Sequence, residues 1–356
     1  MTPLSLSATH FDLRFREPFG IAHGTRQHTG TLFVRAAFND LEGFGEAAIP
    51  PYLRYDAVDL ALRFHEWFPT EMHDSQSIRE VMARVSAPGT ALPSPLRAAV
   101  DIAMHDLLGK LTGKPIRDLL SVPVKEGLCF YTIGFCSAHE VAERVQRARD
   151  FKLFKVKLGD SNDHDRVEAL LSAGVKVFCA DANQAWKDSS KALEEMHWLK
   201  DRGCLFVEQP LPVDARKDFE ELYRKSPLSI VLDESVQDVR DLEAVRSVCH
   251  GVNVKLVKCG GQGPALELIR QANRFGLKVL MGCMSEGSCG AMAAAQFAGW
   301  TDWLDLDGPA LITNDPFEGV VYKDGMLLPS GLPGTGAVLK SGTEWPPVEV
   351  PGSTLL

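Results

Sequence analysis

Two kinds of hydrophobic periodicity divide this chain. Near the start, apolar and polar positions alternate. Leu32-Phe33-Val34-Arg35-Ala36-Ala37-Phe38 leads through Asn39-Asp40 into Gly43-Phe44-Gly45-Glu46-Ala47, which predicts an antiparallel meander. Over 56–84 and 95–112 the apolar residues recur three and four apart instead, as in Pro95-Leu96-Arg97-Ala98-Ala99-Val100, the spacing of helices with one packed face. Strands followed by helices, without interleaving, predict a compact α+β unit over residues 1–115.

From about residue 125 the two periods interleave. Short apolar runs at 127–133, 154–158, 175–180, 205–207, 229–232, 252–255, 278–281 and 303–305 predict strands. The stretches 138–149, 163–173, 188–202, 215–225, 238–248, 264–275 and 287–298 between them predict helices. Eight short strands alternating with helices within 116–315 predict a (β/α)8 TIM-type barrel, whose ligand sites lie at the C-terminal ends of the strands. The tail after Asn314 is rich in Gly and Pro, with short strand-like pieces such as Gly319-Val320-Val321-Tyr322. It is expected to return to the first unit, so that residues 316–356 complete an N-terminal α+β capping domain. Residues 346–356 are expected to be loosely held.

Composition restricts the partners. A net charge of −9 does not attract phosphate backbones or anionic lipid, so neither nucleic acid nor membrane is expected as a partner. No stretch approaches the ~20 apolar residues of a membrane span, and the first residues carry no basic-then-apolar leader. The eight cysteines are scattered and form no C-x-x-C pair, the usage of reduced, buried thiols in a cytoplasmic protein. Gly260-Gly261-Gln262-Gly263 lacks the Lys-Ser/Thr of a phosphate-binding loop, and no H-E-x-x-H or G-x-S-x-G occurs.

Three acidic residues stand where successive hydrophobic runs end: Asp181 in Val-Phe-Cys-Ala-Asp-Ala-Asn, Glu208 in Leu-Phe-Val-Glu-Gln-Pro, and Asp233 in Ile-Val-Leu-Asp-Glu-Ser. Each follows the last by about one strand-plus-helix unit, roughly 30 residues in an eight-unit barrel. Carboxylates at three adjacent strand ends converge, and hard oxygen ligands of that number suit one Mg²⁺. Each could instead be a helix N-cap, Asn183 beside Asp181 included.

Lysines flank the acids. Lys155 and Lys157 share a face of the second strand by its period of two, and Lys255 ends the sixth, on the opposite side of the mouth. Lys258, three residues on, is expected in a surface loop. Removing a proton α to a carboxylate leaves an enediolate dianion, whose charge a metal ion on that carboxylate neutralises. Lys155 beside Lys157 is expected to lower the pKa of Lys157, so that it can serve as a base near neutral pH. A lysine on each face permits removal of the proton from one side and its return from the other, which inverts the centre. Asp305 and Asp307, two residues apart after the eighth strand, are a candidate clamp for a cationic substrate group.

Together these residues resemble the enolase superfamily, specifically its muconate-lactonizing subgroup. Lys155-x-Lys157, Asp181-Ala-Asn, Glu208-Gln-Pro, Asp233-Glu-Ser and Asn253-Val-Lys255 match that subgroup's signatures in order and spacing, while Gly45-Glu46-Ala47 and the helix from Ala98 to Leu111 look like its capping domain. Within the subgroup, Asp305-Leu306-Asp307 resembles the dipeptide epimerases, where such a pair holds the α-ammonium of the N-terminal residue. The resemblance implies Mg²⁺-dependent epimerisation of the C-terminal residue of L-Ala-D/L-Xaa dipeptides, with Lys157 and Lys255 as acid/base residues. It implies Asp181, Glu208 and Asp233 as metal ligands, and Lys155, Thr132, Cys283 and Ser285 lining the substrate. A homo-oligomer is expected. For the Xaa side chain, Arg26 and Arg54 are candidates if it is acidic, and Phe19, Ile21, Tyr52 and Leu53 fit an apolar one. Glu286 is either a group supporting the site from behind or an N-cap. Two other functions compete: o-succinylbenzoate synthase or a cycloisomerase on the same scaffold, and a non-catalytic small-molecule binder.

Overall fold

The structure is a computed structural model that describes residues 4–21, 24–49, 55–68, 78–87 and 90–345. Strands β1 (Ser5–Ile21), β2 (Gly24–Phe38) and β3 (Leu41–Ala48) form the expected antiparallel meander. Helices α1 (Ala57–Trp67), α2 (Ile78–Val85) and α3 (Ser94–Thr112) follow. Alternation along β2 directs Leu32, Val34 and Ala36 onto the helices, where they bury with Leu60, Phe64, Leu96, Val100 and Met104. Glycines at 43 and 45 let α3 approach: a Cβ at either would strike its backbone at Ala103 or Ala99.

Eight parallel strands then form the barrel: Phe130–Ile133, Leu153–Lys157, Phe178–Asp181, Cys204–Glu208, Ser229–Leu232, Gly251–Val254, Lys278–Gly282 and Trp303–Asp305, in that order around the sheet. A parallel bridge between Cys129 and Leu304 joins the first strand to the eighth. The run at 127–133 is not one strand, because Gly127–Leu128 pairs antiparallel with Met326–Leu327 of the tail and only the second half enters the barrel. The helix expected at 238–248 is a 3-10 turn, Val239–Asp241, and one helical turn, Leu242–Val245, within which only Leu242 and Val245 are buried.

After the sixth strand, an unexpected helix, Leu256–Cys259, precedes the longer Gln262–Arg274. Gly260 and Gly261 break the two apart at φ of +99° and +119°. Here the capping helix α3 reaches the barrel. Arg97 donates to the Cys259 carbonyl at 2.8 Å, and Asp101 accepts the Gln262 N–H at 2.5 Å. This contact, not phosphate binding, accounts for the Gly260-Gly261-Gln262 run. A Cβ at Gly261 would meet the Asp101 side chain as well as forcing an unfavourable φ. Gly261→Ala is therefore expected to lower stability by roughly 1–3 kcal/mol, read as a fall in the urea midpoint, because backbone strain of this kind costs that much.

The tail does return to the first unit. Phe317 packs its ring against Phe33 and Phe44 of the meander, at centroid distances of 5.1 and 5.3 Å, and Trp345 joins them. Glu46 of β3 also bridges to the barrel, accepting the N–H groups of Gly287 and Gly290 at the start of helix Ser288–Ala295. The expectation for 346–356 lies outside the described residues.

Candidate active site

The barrel interior is apolar at its lower end, filled by Phe130, Cys179, Phe206, Val231 and Leu280 with Leu153 and Trp303. Period two along each strand places Thr132, Lys155, Asp181, Glu208, Asp233 and Asp305 directly above that plug. Register completes the arrangement, since Lys157 lies level with Asp181, and Asp181 with Glu208. The capping hairpin covers this mouth, enclosing a cavity of about 760 Å³. Its wall includes Thr132, Lys155, Lys157, Asp233, Lys255, Cys283, Ser285, Asp305 and Asp307, with Phe19, Ile21 and Arg26 from the hairpin. Asp181 and Glu208 are fully buried beneath the lysines.

Lys155 lies at the centre. Its Nζ is 2.7 Å from Asp305 Oδ2, 2.8 Å from Glu208 Oε2 and 3.0 Å from Asp181 Oδ2. Burial disfavours its charge, but Asp181, Asp305 and Glu208 outweigh that and hold its pKa well above the ordinary lysine range. It is a permanent cation beside Lys157. Lys157 Nζ donates to Asp181 Oδ2 at 2.7 Å and to Asn183 Oδ1 at 3.1 Å. Across the mouth, Lys255 Nζ donates to Asp233 Oδ2 at 2.7 Å.

None of the three acids caps a helix. Asp181 takes the N–H of Asn183, and helix Ser189–Lys200 is capped by Asp188. Burial opposes ionisation of Asp181 and Asp233, yet Lys155 with Lys157, and Lys255 with Lys258, hold the two below the usual carboxylate range. Glu208 goes the other way: burial, then the charge of Asp181, pushes it up to about 8. As they stand, ammonium groups hold these carboxylates, and no three acidic, histidine or cysteine side chains among the described residues close on one point. The donor set still fits a hard divalent cation. It is three buried carboxylates in mutual repulsion, and Glu208 Oε2 accepts no hydrogen bond despite its proximity to Lys155.

Asp305 is the partner of Lys155 at 2.7 Å, and Asp307 Oδ2 accepts the Thr132 N–H at 2.6 Å. Asp305 Oδ1 is buried without a hydrogen-bond partner. Burial, reinforced by Asp305, raises Asp307 to about 7. The pair thus has acceptor capacity left at the cavity wall. Burial and the carboxylates of Glu286, Asp307 and Asp305 push the Cys283 thiol well up, so this cysteine is a neutral wall group.

Lys258 departs from expectation, Gln209 escaped it, and Glu286 takes one of its two expected roles. Lys258 is not in a surface loop. It is buried, with Nζ 2.6 Å from Asp233 Oδ1, because the helix Leu256–Cys259 turns it back under the fifth strand. Gln209 accepts the N–H groups of Asp233 and Ser235 and donates to Ser235 Oγ, tying two strand ends together. Glu286 accepts the Met284 N–H, while Glu46 and Asp315 take the N-terminus of the helix that follows. Glu286 thus supports the loop from behind, and burial raises it to about 7. Arg54, Tyr52 and Leu53 lie outside the described residues.

An α+β cap over a barrel whose mouth holds lysines and carboxylates on facing strands defines a class. The family model "Mandelate racemase / muconate lactonizing enzyme, N-terminal domain" matches residues 6–121, and "Enolase C-terminal domain-like" matches 137–342. The chain belongs to the enolase superfamily. It is 35% identical over 331 residues to the L-Ala-D/L-Glu epimerase of Bacteroides thetaiotaomicron, covering 92% of this chain and 86% of that one. It is 34% identical over 342 residues to a hydrophobic dipeptide epimerase of a Flavobacteria bacterium, strain MS024-2A, covering 92% and 96%. A dipeptide epimerase from Methylococcus capsulatus, crystallised with Mg and L-Arg-D-Lys, superposes with a TM-score of 0.85 at 27% identity, covering 95% of this chain and all 100% of that one. Within the superfamily the chain stands among the dipeptide epimerases. No helix among the described residues is long and apolar enough to cross a membrane.

Proposed function

We propose that this dipeptide epimerase inverts the C-terminal residue of L-Ala-D/L-Xaa dipeptides, with Lys157 and Lys255 as its two proton carriers. The observation that carries this reading is their placement: each ammonium grips a carboxylate on its own side of the same cavity, Lys157 at Asp181 and Lys255 at Asp233. One lysine takes the α-proton and the other supplies a proton to the opposite face. Asp181, Glu208 and Asp233 would hold the ion. Bound Mg²⁺ supplies charge neutralisation to the substrate carboxylate, which makes the α-proton removable. Lys155 orients that carboxylate. Asp305 Oδ1 and Asp307 receive the α-ammonium, with Thr132, Cys283 and Ser285 as walls.

Arg26 supports an acidic Xaa. It lies opposite Phe19 in the β1–β2 hairpin, lines the cavity, and has no carboxylate partner among the described residues. Burial alone lowers its pKa, so an anion beside it would be stabilised as well as stabilising. Arg26→Met is expected to reduce kcat/KM for L-Ala-L-Glu by about 10- to 100-fold, the worth of a charge-assisted hydrogen bond, with little change for L-Ala-L-Leu.

The setting belongs to the same proposal. Eight free cysteines, six of them buried, support a reducing, cytoplasmic compartment. Boundaries near residues 115 and 315 are supported by the end of α3 at Gly113 and by the last barrel element, Gly308–Leu311. The test of function is direct. Chelated enzyme should not epimerise L-Ala-L-Glu, and Mg²⁺ should restore formation of the L,D product on a chiral column. Full turnover in chelator would remove the metal from the account.

A further inference from the structure

Among the described residues, Lys258 is a cation of this mouth that does not line the cavity. It is also heavily committed. Its Nζ donates to Asp233 Oδ1 at 2.6 Å, to the Asp233 carbonyl at 2.7 Å, and to the carbonyls of Val236 and Asn253 at 2.9 Å each. An ammonium has only three protons, so these acceptors saturate it and leave none for substrate. Burying a lysine is costly unless every contact is made, and a short helix stopped by Gly260 is what brings it there.

Those contacts converge on the carboxylates. Lys258 fixes Asp233 through one side-chain oxygen and the main chain, and leaves Oδ2 to Lys255, which lines the cavity. It also fixes the Asn253 carbonyl, and the Asn253 amide in turn donates to Glu208 Oε1 at 2.9 Å. One ammonium therefore reaches two of the three candidate ligands, one directly and one through a neighbour.

We propose that Lys258 is a positioning residue for the metal site, orienting Asp233 and, through Asn253, Glu208. The inference rests on the reading of those carboxylates as metal ligands. It makes a prediction opposite in sign to simple electrostatics. A positive charge this close to a divalent cation repels it, so removing the charge alone would tighten binding. Removing a group that orients ligands weakens binding, typically 10- to 100-fold.

The experiment is calorimetric titration of Mg²⁺ into the full-length apoenzyme, for the wild type and Lys258→Met, with circular dichroism to establish folding. If the Met variant does not fold, Lys258→Gln serves: it removes the cation from Asp233 while its amide can still donate to a carbonyl, so the loss expected of it is that of the Asp233 contact alone, about 10-fold. Mg²⁺ affinity about 10- to 100-fold weaker in a folded variant is the expected result. Affinity unchanged or tightened in a folded variant, with only a lowered melting temperature, would make Lys258 a structural residue and overturn the proposal. If the wild type itself binds no Mg²⁺, the metal reading fails instead, and the two failures are told apart by that first titration.

Discussion

Lys157→Met and Lys255→Met are each expected to lose epimerisation by at least about 10³-fold, within the range that a positioned acid or base contributes. The two losses should differ in kind. With one lysine gone, the other still faces one side of the α-carbon. Each variant should therefore exchange the α-proton of one epimer with solvent while failing to convert it to the other. Lys157→Met should retain exchange with the epimer whose proton points to Lys255, and Lys255→Met with the other epimer. Folding should survive in both, because each lysine meets the cavity rather than the core. Mass spectrometry of L,L and L,D substrates in D₂O separates the cases. Equal residual exchange with both epimers in both variants would show that neither lysine is confined to one face.

Asp307→Asn is the second large effect. Truncating one partner of a buried, hydrogen-bonded charge pair costs roughly 2–5 kcal/mol, so kcat/KM for dipeptides should fall at least about 30-fold. Asp305 is a poorer choice for this test, since it also holds Lys155 at 2.7 Å and its loss would disturb the centre of the site. The pH profile supplies the sign. Asp307 is raised to about 7, so below that pH the free enzyme carries it protonated and the clamp has lost a charge. In the wild type, kcat/KM should fall as pH drops through about 7, and this limb should be absent from Asp307→Asn. A variant with undiminished activity would favour substrates without an ammonium group, as in the o-succinylbenzoate synthase and cycloisomerase readings.

Much of this site was legible from the chain because it obeys strand periodicity. Asp181, Glu208 and Asp233 end consecutive strands, and Lys155 and Lys157 share one face, so alternation alone brings them to one mouth. Lys258 was not legible, because its burial depends on a one-turn helix cut short by Gly260 and braced by Arg97 and Asp101 of the distant α3. Gln209 escaped for a similar reason. Its amide links two neighbouring strand ends, and a glutamine before a proline carries no local signal of that. Glu46 stood out only within a motif, although it anchors the capping sheet to helix Ser288–Ala295 across most of the chain length. Arg26 depended on the hairpin register, which sets it opposite Phe19 over the cavity. What the sequence left open was mostly non-local contact, with the short helices Leu242–Val245 and Leu256–Cys259 as local exceptions.

The measurement that bears most directly on the central claim is α-proton exchange by the Mg²⁺-loaded enzyme in D₂O, across a library of L-Ala-L-Xaa dipeptides. The account expects deuterium at the C-terminal α-carbon together with the L,D epimer, strongest for acidic Xaa. Absence of both deuterium and epimer from every dipeptide, by an enzyme shown to bind Mg²⁺, would contradict it.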